Sequence, residues 1–169
     1  MLRTDGLDAG LTAAIRTIRL IVFDFDGVFT DNTVIVSEDG RESVVCWRSD
    51  GLGLAKLRQR GLEMRVLSTE VNPVVAVRCR KLQLDCQQGC DDKLTALKRL
   101  AEARGLSAGQ VAYMGNDIND SECLRWAGLP VVPDDAHPDV LALARLRTSQ
   151  PGGRGAVREF CDLVDGVLA

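Results

Sequence analysis

Strand-like and helix-like segments alternate along most of this chain. Three apolar segments are typical of strands that are covered on both faces, at residues 18–23, 62–67 and 111–114. Four others have helix-forming sequences bounded by glycine, proline or capping residues, at residues 50–60, 73–82, 91–104 and 119–127. This alternation predicts an α/β fold, with a three-layer, Rossmann-like arrangement of a mostly parallel sheet and helices on both faces.

The rest of the chain supplies shorter elements. Two β-type runs around an Asp39-Gly40 turn predict a β-hairpin flap over residues 33–47. Weaker patterns predict helices at 11–17 and 138–144, and short strands at 85–87, 131–132 and 146–148. A glycine-rich hinge at 151–155 precedes a predicted terminal helix at 156–168. We therefore expect an N-terminal arm, residues 1–18, and a single domain, residues 19–169, with no large cap.

Composition narrows the classes of function. With 21 basic and 24 acidic residues the net charge is -3, which argues against nucleic-acid binding, since such proteins usually carry a basic surface. No apolar run approaches the roughly 18 residues of a membrane helix, and the first residues lack the features of a secretion signal. The six cysteines lack zinc-site spacing and indicate free thiols in a reducing compartment. We expect a cytoplasmic protein with no membrane partner.

Two carboxylates follow the first predicted strand directly. Asp24 and Asp26 stand two apart after an apolar run, so the two-residue period of a strand can bring both to one side. Close carboxylates repel each other unless a cation or a shared proton compensates. Mg²⁺ prefers such hard oxygen ligands. Because ligands of parallel sheets bind beyond the carboxyl ends of the strands, these acids are candidates for chemistry, the alternative being a solvated acidic turn.

Three further segments place polar side chains at corresponding positions. Ser68 follows the second strand and can donate a hydrogen bond to a phosphoryl oxygen, although the position also suits a helix cap. Lys93 stands in the first turn of a predicted helix, where a positive charge is unfavourable to the helix dipole. It can be an ordinary surface lysine, but the position indicates a functional role, such as neutralising a carboxylate or phosphate. A cluster of possible metal ligands, or an Asn/Asp-rich turn, follows the fourth strand at Asn116, Asp117 and Asp120. The coincidence of all four segments at one sheet edge favours a phosphate site with a divalent metal ion.

These motifs resemble the four motifs of the haloacid dehalogenase (HAD) superfamily: Asp-x-Asp, a Ser or Thr, a Lys, and a Gly-Asp/Asn-Asp cluster. The stretch 24–31, Asp-Phe-Asp-Gly-Val-Phe-Thr-Asp, more specifically resembles the small capless branch that dephosphorylates octulosonic and nonulosonic sugar acids. The resemblance extends from about residue 19 to the C-terminus. Two departures are Asn116, where many members have Asp, and Thr69, where the family often has Gly.

The resemblance implies hydrolysis of a phosphomonoester through an aspartyl-phosphate. Asp24 is the implied nucleophile, and Asp26 is the implied general acid and base. Ser68 and Lys93 are implied to stabilise the transferred phosphoryl group.

Mg²⁺ is the implied cofactor. Its implied ligands are Asp24, the main-chain carbonyl of Asp26, and the cluster of Asn116, Asp117 and Asp120. Asn116 and Asp117 both stay open as the direct ligand, with Asp120 in an outer position.

The implied partner is a small phosphorylated sugar acid. Phosphatases of KDN-9-phosphate and N-acylneuraminate-9-phosphate carry a Glu after the second strand, with an Arg and a Lys further on, matched here by Glu70, Arg78 and Lys81. Arg78 and Lys81 stand three apart on one helix face and suit a substrate carboxylate. Further implied substrate contacts are Thr30, Arg48 and Arg154.

Members of this branch are usually homotetramers in which neighbouring subunits complete the pocket, so the resemblance implies a homotetramer. The favoured interpretation is a phosphatase of a nonulosonic acid. The alternatives are a KDO-8-phosphate phosphatase or a promiscuous sugar phosphatase and, outside enzymes, an oligomerisation module associated with a CMP-sialic acid synthetase. A bare magnesium- or anion-binding module explains the presence of Asp26, Ser68 and Lys93 least well.

Overall fold

A six-stranded parallel sheet between two layers of helices forms the body of the protein, which confirms the predicted α/β class. The computed structural model describes residues 7–169, so residues 1–6 of the predicted arm lie outside the described residues. The elements are α1 (Ala9–Thr17), β1 (Leu20–Phe23), β2 (Ile35–Val36), β3 (Glu42–Ser43), α2 (Asp50–Gln59), β4 (Glu63–Leu67), α3 (Pro73–Leu82), β5 (Asp85–Gln87), α4 (Lys93–Glu102), β6 (Val111–Met114), α5 (Ser121–Trp126), β7 (Leu129–Val132), α6 (Pro138–Leu141), β8 (Leu146–Arg147) and α7 (Ala156–Leu168).

The strand order is β5-β4-β1-β6-β7-β8, and every neighbouring pair in this sheet is parallel. From β1 the chain adds β4 and β5 outward on one side, and then crosses back to add β6, β7 and β8 on the other. The direction of winding therefore reverses between β1 and β6. In open α/β sheets the ligand crevice lies at such a reversal, beyond the carboxyl ends of the strands.

Side chains of the central strand alternate between two cores. Ile21 and Phe23 pack into the core beneath α1, α2, α3 and α7, whereas Leu20 and Val22 pack into the core beneath α4, α5 and α6. All four are fully buried. A strand buried on both faces must be apolar at every position, which explains the uninterrupted Leu-Ile-Val-Phe sequence of β1.

Capping residues set several boundaries that differ by a few residues from the predicted ones. Helix α4 begins at Lys93 because the Asp92 side chain accepts a hydrogen bond from Thr95 N at 2.9 Å. Strand β1 begins at Leu20 because Ile18 ends α1 in an extended conformation. A 3₁₀ turn at Ile118–Asp120 occupies the first part of the helix predicted at 119–127, so α5 is shorter.

The described part of the predicted arm packs on the domain. Leu11 and Ile15 of α1 are buried in the core that α1 shares with α7. The longest described helix is α7, with 13 residues, and none of the helices in residues 7–169 is long and apolar enough to cross a bilayer. All six cysteines are free, and four of them are buried, at Cys79, Cys90, Cys123 and Cys161.

The predicted hairpin flap is present between β1 and α2. Strands β2 and β3 pair antiparallel, with Ile35 opposite Ser43, and Gly40 takes a φ of 81° in the turn. An isolated bridge between Thr30 and Cys46 joins its base to the loop after β1. Within residues 7–169 no cap domain is inserted at this position or elsewhere along the sheet.

The glycine-rich stretch 151–155, predicted as a hinge, is instead packed against the loop after β1. Gly153 N donates to Val28 O at 3.0 Å, and a Cβ on Gly152 would lie 1.9 Å from the carbonyl oxygen of Gly27. Gly153 also has a φ of 61°, in the left-handed region that favours glycine. Close approach of two backbones, rather than flexibility, accounts for these glycines.

Candidate active site

Asp24 is the first residue beyond β1 and is only 5% exposed at the carboxyl edge of the sheet. Its N–H donates to Met114 O on β6 at 2.8 Å, which fixes its backbone at the reversal between β1 and β6. Oδ1 accepts a hydrogen bond from Phe25 N at 2.7 Å and lies 2.9 Å from Lys93 Nζ. Within residues 7–169 no donor reaches Oδ2. One carboxylate oxygen is thus held in place, and the other is available to a ligand.

Lys93, the first residue of α4, lies buried between two carboxylates. Its Nζ is 2.9 Å from Asp24 Oδ1 and 2.8 Å from Asp120 Oδ1. The hydroxyl of Tyr113 donates to the same oxygen of Asp120 at 2.6 Å. Two carboxylates and one ammonium group leave this buried cluster one negative charge in excess when all three are ionised. An additional cation beside Asp24 would therefore be stabilised.

The electrostatics of the cluster agree with this charge count. Burial and the negative charge of Asp120 raise the pKa of Asp24 to about 7, although Lys93 opposes the shift. Burial acts to lower the pKa of Lys93, but the charges of Asp24 and Asp120 outweigh it and raise that pKa above its usual value. The lysine therefore stays cationic, whereas Asp24 needs a further positive charge to be fully ionised near neutral pH.

Asp26 is half-buried on the loop after β1. The Thr30 hydroxyl donates to Asp26 Oδ1 at 3.4 Å, and burial together with the charge of Glu70 raises the pKa of Asp26. Thr30 itself is fully buried, and its Oγ1 accepts from Gly27 N at 3.1 Å and Asn32 N at 3.2 Å. The structure therefore places Thr30, a predicted substrate contact, beneath the loop that carries Asp26, where backbone amides occupy its oxygen.

Ser68 follows β4 and is 1% exposed. Its N–H donates to Gln87 O on β5 at 2.9 Å, and its Oγ accepts from Glu70 N at 3.1 Å. Since Oγ acts here as an acceptor, its own proton is left for a ligand oxygen.

Asn116 follows β6 and faces Asp24 across the reversal between the two strands. It is 7% exposed, and its Oδ1 is buried with no hydrogen-bond partner among the described residues. Such an orphaned oxygen costs about 1–3 kcal/mol unless a ligand satisfies it. Its main-chain carbonyl accepts from His137 N at 2.8 Å, which holds the loop in place.

A cavity of about 320 Å³ brings most of the predicted metal ligands together, since Asp24, Asp26, Asn116 and Asp117 all line it. No three Asp, Glu, His or Cys side chains in residues 7–169 converge as a metal site by themselves. A cation here would depend on amide and main-chain oxygens beside Asp24. The residues fit a hard divalent cation, because Asp24 and Asn116 each present an oxygen without a protein donor.

Asp117 and Asp120 differ from Asn116 in how their oxygens are used. Asp117 Oδ1 accepts from Ile118 N at 2.7 Å, as the cap of the 3₁₀ turn. Asp120 Oδ2 accepts from Asn116 N at 2.9 Å, while Oδ1 is held by Lys93 and Tyr113. Asp120 is fully buried and does not line the cavity, so of the predicted metal ligands it lies in the outer position, where it holds the loop and Lys93.

A second cavity, of about 270 Å³, adjoins the first on the other side of Asp26, and both are lined by Asp26 and Asn32. Glu42 of the hairpin and Glu70 and Asn72 of the loop between β4 and α3 form its polar wall. Glu70 is thus the predicted substrate contact that the structure brings to the site. We call this space the leaving-group cavity, because it lies beside Asp26 and away from Asn116.

The four predicted cationic contacts do not line either cavity. Arg78 Nη2 donates to Trp47 O at 2.9 Å, and Arg154 pairs with Asp31 at 3.0 Å. Arg48 and Lys81 are exposed. Helix α3 begins at the site and runs away from it at about 1.5 Å per residue, so the structure does not bring Lys81 to the cavity of its own subunit.

Residues of the site that sequence reasoning missed include Tyr113, Glu42, Asn72 and Asn32. Tyr113 lies within an apolar strand, and its signal is that a buried tyrosine hydroxyl needs a partner. Glu42 has no comparable signal, because the sequence does not show which side chains of the hairpin face Asp26.

Comparison with known proteins agrees with this geometry. The family of haloacid dehalogenase-like hydrolases matches residues 74–158. The 3-deoxy-D-manno-octulosonate 8-phosphate phosphatase KdsC of Escherichia coli K12 is 33% identical over 159 residues, which cover 94% of this chain and 85% of that protein.

Two solved structures are similar over most of both chains. A HAD family hydrolase of Streptomyces avermitilis has a TM-score of 0.86 at 47% identity, covering 88% of this chain and 86% of that chain. The 3-deoxy-D-manno-octulosonate 8-phosphate phosphatase of Moraxella catarrhalis, solved with a magnesium ion, a phosphate ion and KDO, has a TM-score of 0.89 at 32% identity. It covers 93% of this chain and 91% of that chain.

Proposed function

We propose, from the premise that this chain belongs to the haloacid dehalogenase-like hydrolases, that it releases phosphate from a small sugar-acid phosphate with Mg²⁺ as cofactor. That it is a phosphoric monoester hydrolase follows from its family and its relatives. The substrate, the metal and the residue roles are the proposal. The observation that carries it is the Asp24 carboxylate, which lines one cavity with Asp26 and Asn116, has Oδ1 held by Lys93 and Phe25 N, and has no donor within residues 7–169 at Oδ2.

Asp24 acts as the nucleophile in this proposal. One oxygen of its carboxylate attacks phosphorus, and the bond between phosphorus and the sugar oxygen breaks as the aspartyl-phosphate forms. Asp26 gives its proton to the departing sugar oxygen. Its carboxylate then takes a proton from the water that attacks the aspartyl-phosphate, so both acids return to their initial states.

Lys93 and Ser68 hold the charge of the transferred phosphoryl group. Both are buried: Lys93 Nζ lies 2.9 Å from Asp24 Oδ1, and Ser68 follows β4, the strand that pairs with β1. A charged or hydroxyl donor in such a buried place is worth more than in water. Asp120 and Tyr113 fix Lys93 from behind, which preorganises its ammonium group before the substrate binds.

Mg²⁺, when bound, supplies positive charge that offsets the repulsion between the Asp24 carboxylate and the phosphate. Asp24, the main-chain carbonyl of Asp26 and the amide oxygen of Asn116 would hold it. The orphaned Oδ1 of Asn116 favours this residue over Asp117 as the direct ligand.

The relatives favour an octulosonic acid over the nonulosonic acids as the substrate. The Escherichia coli and Moraxella catarrhalis proteins are both named as phosphatases of 3-deoxy-D-manno-octulosonate 8-phosphate, which we therefore propose as the substrate. The case for KDN-9-phosphate rested on Glu70, Arg78 and Lys81 acting together, and of these only Glu70 lines the cavity of this subunit. Of the other two, Lys81 is exposed and within reach of a neighbouring subunit of the proposed homotetramer, whereas Arg78 Nη2 donates to Trp47 O of its own subunit.

Phosphate release by the purified protein with Mg²⁺ tests this function. We expect turnover of 3-deoxy-D-manno-octulosonate 8-phosphate to exceed that of KDN-9-phosphate and p-nitrophenyl phosphate, and to stop on addition of a chelator. Asp24→Asn should lower the rate by at least a thousandfold, because an amide is not a nucleophile towards phosphorus.

Asp91→Asn is the matched control, since it makes the same change on an exposed side chain near the same sheet edge. It should retain the wild-type rate. Substantial activity in Asp24→Asn would contradict the assignment of the nucleophile. A preference for KDN-9-phosphate would restore the nonulosonic interpretation.

A further inference from the structure

Among the described residues, the wall of the leaving-group cavity carries three carboxylates and no basic side chain. Glu42, Glu70, Asn72 and Asp26 supply its larger polar groups, and three valines supply apolar surface, at Val34, Val44 and Val74. The nearest basic residue along the hairpin, Arg41, turns to Asp39, with Nε 2.7 Å from Oδ2. The negative charge of these carboxylates is thus not neutralised by a basic side chain of the same wall.

Glu42 is held in position although it belongs to an exposed hairpin. Asn72 Nδ2 donates to Glu42 Oε2 at 3.0 Å. The other amide atom of Asn72, Oδ1, caps α3 by accepting from Val74 N at 3.0 Å. Because the cap fixes the orientation of the amide, its donor points at Glu42.

The loop that carries Asn72 is itself fixed. Gln88 Nε2 donates to Asn72 O at 2.7 Å and to Glu70 O at 3.3 Å. Glu70 Oε1 accepts from Val71 N at 2.7 Å and Asn72 N at 2.8 Å. In each of the two glutamates, one oxygen is bound by protein, and no donor within residues 7–169 reaches the other.

This wall is part of the catalytic centre and not a separate site. The leaving-group cavity meets the cavity of Asp24 at Asp26 and Asn32, and the buried, unpartnered Oδ1 of Asn116 marks the latter as a ligand site. A phosphomonoester bound at Asp24 with its leaving oxygen towards Asp26 would extend its first carbons into the cavity that Glu42 and Glu70 line.

We propose that Glu42, positioned by Asn72, is a specificity-determining residue: with Glu70 it accepts hydrogen bonds from hydroxyl groups next to the phosphoester and excludes esters that carry a carboxylate there. The inference rests on the proposed function, phosphomonoester hydrolysis at Asp24. Ionised carboxylates are acceptors only, so hydroxyl donors match them and a second carboxylate is repelled. A sugar acid is compatible with this wall when its carboxylate lies at the opposite end of the carbon chain from the ester.

Three small esters separate the effects. Glycerol 3-phosphate has hydroxyl groups next to the ester, 3-phosphoglycerate has a carboxylate nearby, and p-nitrophenyl phosphate has neither. The measured quantity is the ratio of kcat/KM for glycerol 3-phosphate to that for 3-phosphoglycerate, with Mg²⁺ present. We expect this ratio to exceed one in the wild type and to fall about tenfold in Glu42→Gln, which removes one charge but keeps an acceptor for Asn72.

Two further variants keep the test specific. Glu38→Gln removes a charge from an exposed position of the same hairpin that does not line the cavity, and its ratio should equal that of the wild type. Asn72→Ser keeps a residue that caps α3 but lacks the donor to Glu42, and it should lower the ratio in the same direction as Glu42→Gln.

The role of Glu42 would be overturned by equal ratios in Glu42→Gln and Glu38→Gln, or by a wild-type preference for 3-phosphoglycerate. In either case, turnover of p-nitrophenyl phosphate would still support the proposed function. Folded, magnesium-loaded protein that hydrolyses neither p-nitrophenyl phosphate nor the other esters would overturn both proposals.

Discussion

Gly27 is the residue on which the position of Asn116 depends. It has a φ of 74°, and a Cβ built on it would lie 1.9 Å from Asn116 Nδ2. No side chain beyond hydrogen fits at this distance, so the loop after β1 can approach Asn116 only with glycine here. The presence of Gly27 therefore couples the loop of the proposed nucleophile to the proposed metal ligand.

Replacing Gly27 with alanine should displace Asn116 and weaken magnesium binding. We expect Gly27→Ala to raise the Mg²⁺ concentration for half-maximal phosphatase activity by at least tenfold, measured by titrating Mg²⁺ at saturating substrate. Gly40→Ala is the matched control, because Gly40 has a φ of 81° and nothing within 4 Å of an added Cβ. A magnesium titration of Gly27→Ala that matches Gly40→Ala would show that the clash with Asn116 is without consequence.

At the scale of elements, an ion-pair network joins the start of β4 to the end of α4. Arg104 donates to both carboxylate oxygens of Glu63, and Arg65 Nε donates to Glu63 Oε1 at 2.9 Å. The hydrogen bonds from Arg104 are the largest cause that lowers the pKa of Glu63 to about 2. The folded state thus favours the ionised form of Glu63, and this contribution to stability is present above the usual glutamate pKa of 4.5.

Glu63→Gln should therefore destabilise the protein at neutral pH and not in acid. We expect a loss of about 0.5–1 kcal/mol in the free energy of unfolding at pH 7, a small value because the pair is partly exposed to solvent. The loss should shrink as the pH falls from 4.5 towards 2, where wild-type Glu63 becomes protonated as well. Urea unfolding across this range measures it, with Glu102→Gln on α4 as an exposed control. A difference independent of pH would point to packing instead of charge.

Strands and helices were predictable from the sequence where their residue pattern has a single physical cause. The strands β1 and β6 are apolar throughout because helices cover both faces, and polar residues after them meet because parallel strands share an edge. Residues 151–155 were not predictable in the same way, since glycine serves both flexibility and close packing. The spacing of Arg78 and Lys81 shows a shared helix face, but it does not show which end of α3 meets the site.

The residues of the site likewise differ in how far the sequence predicts them. Asp24, Asp26, Ser68, Lys93 and Asn116 were predictable because each stands within three residues of the end of a strand or at the first turn of a helix on the carboxyl edge. The contacts between the hairpin and the rest of the site were not predictable from the sequence. The register of two short strands decides which side chains face Asp26, and two-residue strands carry too little pattern to fix a register.

At the scale of the whole molecule, the hairpin carries apolar side chains that the other described residues, 7–32 and 48–169, leave exposed. Val34, Ile35, Val36 and Val45 are between 47% and 62% exposed, and Trp47 at the base is 41% exposed. Contiguous exposed apolar patches on soluble proteins usually mark interfaces. The hairpin also forms one wall of the leaving-group cavity, so a neighbouring subunit bound to it would lie close to the substrate.

Charging this surface should dissociate the proposed homotetramer. We expect the wild type to run with the mass of four subunits in size-exclusion chromatography with light scattering, and Ile35→Asp combined with Val45→Asp to run as a smaller species, because each buried aspartate would lose its hydration. Leu52→Asp, at a leucine of α2 that is 64% exposed and outside both the hairpin and α3, tests whether any added charge has this effect. If residues of a neighbouring subunit such as Arg78 or Lys81 complete the pocket, the dissociated variant should also have a higher KM for 3-deoxy-D-manno-octulosonate 8-phosphate but a nearly unchanged rate on p-nitrophenyl phosphate. A wild type that is monomeric at micromolar concentration would contradict the tetramer, and full activity of a dissociated variant would show that each subunit builds its site alone.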